Sequence, residues 1–182
     1  MNYCSQCGSP QIDLAIPEGD DRERHVCPDC GSIHYTNPRI IAGVLPVWED
    51  RILLCKRSIQ PREGFWTLPA GFLENGETLQ QGAERETREE ALASVDIHDI
   101  YTIFNLTHIN QVYIFFRGTL IDGRYGAGDE SADADLFTAD EIPWGELAFP
   151  TIHKTLEYYL RDRDSGQFPV RTRDIEPMKG RR

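Results

Sequence analysis

Four of the five cysteines lie within the first 30 residues, in two pairs with the same internal spacing. Cys4 and Cys7 form one C-x2-C pair, Cys27 and Cys30 form the other, and 19 residues separate the two pairs. Each pair offers two thiolates from one tight turn, and four thiolates are the ligand set of a tetrahedral structural zinc site. A unit this short buries too little apolar surface to fold alone. We therefore predict that residues 1–36 form a small domain held together by Zn2+.

Two disulfide bonds, or four unrelated thiols, are the alternative interpretations of this spacing. The N-terminus, MNYCSQCGSP, lacks the basic and apolar regions of a secretory signal, so we expect a cytoplasmic protein. Disulfide bonds are rare in that compartment, which favours zinc. Cys55 differs from the other four, because it lies in the apolar run 52–55 and is expected to be a buried small hydrophobe.

The composition argues against two classes of protein. The 19 Lys and Arg residues against 30 Asp and Glu residues give a net charge of −11, whereas a protein that coats nucleic acid carries a basic face. No apolar run approaches the roughly 20 residues that a membrane-spanning helix needs. We therefore expect neither a nucleic-acid partner nor a membrane. A small phosphate-bearing substrate is compatible with this charge if divalent cations lie between the two anions.

The rest of the chain has the pattern of one α/β domain at 37–165, followed by a polar tail at 166–182. Apolar and β-branched residues on both sides of the Glu49-Asp50 turn predict a hairpin, and two further strands follow later in the chain. Helix-forming residues and helical spacing of apolar residues predict two helices. The predicted strands are 39–48, 51–56, 97–106 and 111–121, and the predicted helices are 78–93 and 149–163. Strands mixed with two helices predict a mixed sheet with a helix on each face.

Three glutamates stand out within the first predicted helix. Glu86, Glu89 and Glu90 are at positions i, i+3 and i+4, so their side chains share one helix face. Like charges at these spacings destabilise a helix, so something must offset their repulsion. A solvated surface is one explanation. Bound Mg2+ or Mn2+ is the other, because hard cations take carboxylate ligands and keep positions open for substrate phosphates.

The spacing across this segment is G-x5-E-x7-R-E-x2-E-E, which resembles the signature of the Nudix hydrolases, the Nudix box. The residues that fit it are Gly71, Glu77, Arg85, Glu86, Glu89 and Glu90. Two positions depart from the family pattern: Thr87 stands where it has an aliphatic residue, and Leu92 where it has a glycine. The resemblance implies a Nudix-type α/β/α sandwich with a mixed sheet, preceded here by a zinc ribbon.

The resemblance also implies which residues hold the catalytic metal. In that family the last three box glutamates bind divalent cations, which places Mg2+ or Mn2+ at Glu86, Glu89 and Glu90. A backbone carbonyl just before the box glycine often joins them, and here that carbonyl belongs to Ala70. The implied reaction is hydrolysis of a diphosphate bond.

Further roles follow from the same resemblance. The first box glutamate, Glu77, is expected to pair with Arg85 and fix the loop against the helix. Another carboxylate often arrives from a later loop as a ligand or a base. Glu130 is the candidate for that catalytic role, with Asp129 and Asp133 as alternatives.

Two basic residues end the strand that precedes the box. Lys56 and Arg57 are candidates for binding substrate phosphate, since a guanidinium offers a bidentate fork. Ordinary surface charges at a strand end are the alternative interpretation.

The resemblance covers most of the chain apart from the tail. The cysteine pairs and the stretches LLCKRSIQPREGFWTLPAGFLENGE and LAFPTIHKTLEYYL are similar to the ADP-ribose/FAD pyrophosphatases of plant chloroplasts and their bacterial relatives. This implies a homodimer that hydrolyses ADP-ribose or FAD to AMP plus a phosphorylated partner. NADH pyrophosphatases carry an SQPWPFP-type motif after the box, which residues 104–111 lack. The alternatives are an NADH or oxidised-nucleotide pyrophosphatase, and a non-catalytic ligand sensor or regulator that uses the ribbon.

Overall fold

The computed structural model describes residues 1–176, and the first of its two compact units is Met1–Asn37. Three short antiparallel strands form its sheet, in the order β1 (Asp13–Ala15), β2 (Arg24–Val26) and β3 (Ile33–His34). The two cysteine turns are alike, because the N–H groups of Gly8 and Gly31 donate to the carbonyls of the cysteines four residues earlier. Both glycines have positive φ, 76° and 72°, a conformation that a residue without Cβ adopts at little cost.

The second unit begins at Pro38 and contains one eight-stranded mixed sheet. Its strands are β4 (Arg39–Trp48), β5 (Arg51–Arg57), β6 (Trp66–Thr67), β7 (Ala70–Phe72), β8 (Val95–Leu106), β9 (Gln111–Leu120), β10 (Ser131–Phe137) and β11 (Arg171–Asp174). Six of them lie side by side in the order β10-β5-β4-β9-β8-β11, while β6 pairs with β5 and β7 pairs with β4. β4 is parallel to β9 and β11 is parallel to β8. Its helices are α1 (Leu79–Ala91) and α2 (Pro150–Asp162).

The two helices pack against opposite faces of this sheet. Successive residues of a strand point to opposite faces, and they join different buried clusters. Leu53 of β5 packs in the cluster that contains Ala83 of α1, whereas Leu54 packs in the cluster that contains Ile152 of α2. Among residues 1–176, no helix has the length and hydrophobicity needed to cross a membrane. The structure thus confirms the predicted α/β/α sandwich with a mixed sheet.

Helix α1 begins with a capping box and ends with a strained residue. The Thr78 hydroxyl accepts a hydrogen bond from the N–H of Gln81, whose side chain accepts one from the N–H of Thr78. Two N–H groups that the helix leaves unpaired are satisfied in this way. At the other end Leu92 is left-handed, with φ 48° and ψ 29°, which costs a non-glycine residue about 1–2 kcal/mol. Leu92 occupies the position where the Nudix box has its glycine.

The segment that we predicted as a polar tail contains the strand β11. It pairs with β8 from Arg171 opposite Thr102 to Asp174 opposite Asn105. The Arg171 guanidinium donates two hydrogen bonds to the buried carboxylate of Asp162. A buried ion pair therefore holds this strand, and its polar sequence carries no apolar alternation by which to predict it. Residues 177–182 of the predicted tail lie outside the described residues.

Candidate active site

One end of the large sheet carries a cavity. The strand registers bring the starts of β4, β9 and β10 together with the ends of β5, β8 and β11. A cavity of about 1070 Å³ opens there, at the upper end of the range of about 300–1,000 Å³ usual for ligand sites. Residues in or beside these strands that line it are Ile41, Arg57, Leu106, Gln111, Tyr113, Asp129, Glu130, Ile175 and Glu176.

Helix α1 supplies an acidic wall of this cavity through Glu86, Glu89 and Glu90. Glu90 is buried, and its Oε2 accepts a hydrogen bond from the N–H of Ala70 at 3.0 Å. Strand β7, which contains Gly71, lies directly on the helix, because a Cβ at Gly71 would overlap the carboxylate of Glu86. Glycine is therefore required at this position by the close approach of the two segments.

Burial governs the titration of two of these carboxylates. It raises the pKa of Glu90 to about 8, although the N–H of Ala70 opposes the shift. Burial also raises the pKa of Glu86, against the opposing effect of Arg85. The negative charge of Glu130 contributes to both shifts, so Glu130 lies within electrostatic reach of both residues. A nearby cation stabilises the ionised form of carboxylates that are removed from water in this way. This set of oxygen donors therefore fits a hard divalent ion.

Arg85 connects the acidic wall to the preceding loop. Its Nε and one terminal nitrogen donate to the two oxygens of Glu77, at 2.7 and 3.0 Å, so the predicted pair is present. Its other terminal nitrogen contacts Glu86 at 2.7 Å and Glu89 at 3.0 Å. Among the described residues only the four cysteines bring three or more metal-ligand atoms together. Arg85 is therefore the cation that bridges Glu86 and Glu89 in this structure.

The structure shows which of the remaining candidate residues line the cavity. Glu130 and Asp129 line the cavity, whereas Asp133 does not. Arg57 lines the cavity, but the predicted substrate ligand Lys56 does not. The Lys56 ammonium lies 5.7 Å from the centre of the Trp66 ring. Lys56 therefore lies against a residue that does not itself line the cavity, whereas its neighbour Arg57 lines it.

The four cysteines of the first unit form a separate site. Their sulfur atoms all lie within 4.8 Å of one another, and the Cys4–Cys30 and Cys7–Cys27 pairs are 3.7 Å apart. Four sulfurs at the usual zinc–sulfur bond length of about 2.3 Å are about 3.8 Å apart in a tetrahedron. The thiolate spacing therefore fits Zn2+ in a closed structural site, with no ligand position left for chemistry.

Several cavity residues were not predicted from the sequence. Phe149 is the N-cap of α2 and lines the cavity, with the centre of its ring 5.4 Å from the Arg57 guanidinium. His108 also lines it. Phe72, Tyr113 and Ile175 complete an apolar part of the wall. These residues come from segments distant in the sequence, and no spacing motif links them.

Comparison with known proteins assigns each of the two units to a known domain family. The sequence model of the NUDIX domain matches residues 37–162, and that of the Nudix N-terminal zinc ribbon matches residues 2–36. The crystal structure of a NUDIX hydrolase from Nitrosomonas europaea gives a TM-score of 0.91 at 50% sequence identity, covering 96% of this chain and 100% of that chain.

Two curated relatives are more distant. An ADP-ribose pyrophosphatase from Methanocaldococcus jannaschii is 29% identical over 131 residues, which are 70% of this chain and 76% of that protein. The NAD-capped RNA hydrolase NudC of Photobacterium profundum is 40% identical over 163 residues, which are 86% of this chain and 58% of that protein. The chain thus spans less than two thirds of the length of that second relative.

Proposed function

The chain belongs to the Nudix hydrolase family, and from that premise we propose that it hydrolyses the diphosphate bond of ADP-ribose or FAD with the help of divalent cations. One observation carries the proposal. A single cavity combines the acidic wall of Glu86, Glu89 and Glu90 with a basic side chain, Arg57, and an apolar wall. A dinucleotide-like substrate needs all three, because it presents a charged diphosphate between two larger groups.

The acidic wall would hold the metal. Glu86, Glu89 and Glu90 are the proposed Mg2+ or Mn2+ ligands, with the carbonyl of Ala70 as a further one. When bound, the metal would stabilise charge on the diphosphate oxygens and make a bound water more acidic. Arg85 would then keep its contacts with Glu77, which hold the loop in place.

Arg57 and Glu130 would act on the diphosphate itself. The Nε of Arg57 donates to the carbonyl of Pro61 at 2.8 Å, which fixes the direction of the guanidinium. A guanidinium so fixed suits a phosphate oxygen, since it can donate two parallel hydrogen bonds. Glu130 is the proposed base that accepts the proton of the attacking water, because it lines the same cavity within reach of Glu86 and Glu90.

The substrate preference rests on the segment 104–111, which lacks the motif of NADH pyrophosphatases. Residues 104–111, where NADH pyrophosphatases have their motif, contribute Leu106, His108, Ile109 and Gln111 to the cavity. The relative from Methanocaldococcus jannaschii is named an ADP-ribose pyrophosphatase. Both considerations favour ADP-ribose or FAD over NADH. The second candidate is the removal of an NAD cap from RNA, which the name of the Photobacterium profundum relative favours.

A substrate panel tests these proposals. Initial rates would be measured for ADP-ribose, FAD, NADH, an NAD-capped oligoribonucleotide and nucleoside triphosphates, each with Mg2+ or Mn2+, and AMP would be quantified as product. We expect the largest kcat/KM for ADP-ribose or FAD, since this ratio measures differential binding of transition states. If kcat/KM were tenfold larger for NADH or capped RNA, that compound would be assigned as the substrate instead. No metal-dependent turnover of any compound would favour the non-catalytic sensor.

A further inference from the structure

The C-terminal strand β11 delivers side chains to the far end of the cavity. The N–H of Ile175 donates to the carbonyl of Asn105 at 2.9 Å, which continues the pairing of β11 with β8 by one residue. Ile175 is half-buried against the α2 face of the core, and both Ile175 and Glu176 line the cavity. A polar segment that follows the last helix therefore completes one wall of the active-site cavity.

This wall is remote from the acidic one. Arg57 ends β5, and the Ala70 N–H that contacts Glu90 belongs to β7, which pairs with β4. Four strand spacings separate β5 from β11, which at about 4.8 Å each amount to about 19 Å across the sheet. A substrate whose diphosphate lies at the acidic wall must therefore extend one of its halves across β9 and β8 to reach Ile175.

We propose that Ile175 and Glu176, which directly follow β11, hold the adenosine half of the substrate, with Ile175 as the specificity-determining residue. This inference rests on the proposed function and adds which half of the substrate lies where. Leu106 at the end of β8, Ile109 in the turn that follows and Tyr113 of β9 also line the cavity, and they make this part of its wall apolar. A planar adenine base binds favourably to such a surface, because the contact removes apolar area of both from water. The terminal ribose of ADP-ribose, the alternative group, carries several hydroxyls, which would lose hydrogen bonds with water there.

A buried ion pair positions this wall. Asp162 at the end of α2 accepts hydrogen bonds from the Arg171 guanidinium and from the Tyr101 hydroxyl. The Arg171 guanidinium also lies over the Tyr158 ring, 4.8 Å from its centre. Arg171 does not line the cavity. It is a positioning residue, which fixes the start of β11 so that Ile175 reaches the cavity four residues later.

The binding of AMP to the Ile175→Ala variant tests the proposal without reference to turnover. Calorimetric titrations with AMP and with inorganic pyrophosphate would be made on the Mg2+-loaded full chain. We expect the Kd of AMP to rise about tenfold, since Ile→Ala removes several apolar carbons from the contact. The Kd of pyrophosphate should change less than twofold. Thr172→Ala is the matched control, because Thr172 is exposed on the same strand and does not line the cavity.

Each outcome decides one question. An unchanged Kd of AMP in Ile175→Ala overturns the proposal, as does a rise in the Kd of FMN or ribose 5-phosphate without a rise for AMP. If no compound in the substrate panel were hydrolysed, the proposed function would be overturned instead. The AMP titration would still show whether Ile175 contributes to binding of the adenosine half. For Arg171→Ala, we expect KM for ADP-ribose to rise by a larger factor than kcat falls, with only partial recovery in Arg171→Lys, because an ammonium keeps the charge but cannot make both guanidinium hydrogen bonds. A lower Tm with unchanged KM would show that the ion pair serves stability alone.

Discussion

The N–H of Ala70 donates a hydrogen bond to the carboxylate of Glu90, with 3.0 Å between the nitrogen and Oε2. The bond joins β7 to the last turn of α1, so the predicted metal ligands on these two elements are held together by the protein itself. Glu90 thereby keeps one partner in a buried position where burial raises its pKa. The carbonyl of the same residue, Ala70, remains our predicted metal ligand.

We predict that Glu89→Gln or Glu90→Gln lowers kcat by at least about 100-fold, since changes around metal ligands already cost about 10- to 100-fold. The amide is nearly isosteric, so circular dichroism should be unchanged while Mg2+-dependent turnover is lost. Glu84→Gln is the control, because Glu84 lies on the same helix but does not line the cavity. Rates near wild type in both glutamate variants would contradict the metal site on this helix face.

Gly71→Ala should reduce kcat by about 100-fold, because a displacement of about 1 Å at a catalytic site can cost that much. The added Cβ would overlap the Glu86 carboxylate, which has to move. Gly145→Ala is the matched control, since a Cβ there meets no atom within 4 Å. Steady-state kinetics of both variants make the comparison. Equal rates would mean that the Glu86 position is not critical for turnover.

One tightly bound zinc ion per chain is expected in protein purified without added zinc. Structural zinc in small domains contributes apparent binding free energies of about 10 kcal/mol or more, so the ion should survive dialysis. Elemental analysis measures the stoichiometry. Cys27→Ser should lose the metal, whereas Cys55→Ala should keep it, because Cys55 is buried in the second unit. Wild-type protein without zinc, and with its cysteines freely alkylated, would refute the site.

The Asp162–Arg171 ion pair should make stability depend on pH. Burial alone would raise the pKa of Asp162, but hydrogen bonds from Arg171 and Tyr101 more than offset it, so the pKa is lowered. The stabilisation is therefore present above the unfolded pKa of about 3.9 and is lost as the pH falls through the lower folded value.

Urea unfolding of Asp162→Asn measures this effect. Near neutral pH the variant should be less stable than wild type by about 3 kcal/mol, because the substitution leaves a buried charge without its ionic partner. The difference should shrink in acid, where wild-type Asp162 also becomes neutral. Asp164→Asn is the control, since its side chain is 85% exposed and 3.8 Å from Arg163, and exposed pairs contribute about 0–1 kcal/mol. A difference that does not vary with pH would contradict the lowered pKa.

The start of α1 was predictable to within one residue because its signals are local, whereas the helix ends at Ala91, two residues before the predicted end. Thr78 and Gln81 form a recognisable capping box, and the charged spacing of the helix is itself a motif. The pairing of Arg57 with Phe149 was not predictable, because 91 residues lie between them and no spacing relates them. Strand alternation predicts that Lys56 and Arg57 face opposite sides, but not which of the two lines the cavity. That outcome depends on how both helices and the later strands pack around the end of the sheet.

The left-handed conformation of Leu92 also bears on selective inhibition. Its side chain is 60% exposed and lines the cavity, whereas the glycine of the family pattern has no side chain at this position. An inhibitor that fills the acidic end and extends an apolar group onto Leu92 gains a contact that glycine-bearing relatives cannot offer. The helix end that departs from the Nudix pattern is thus the place where a compound can distinguish this protein from its relatives.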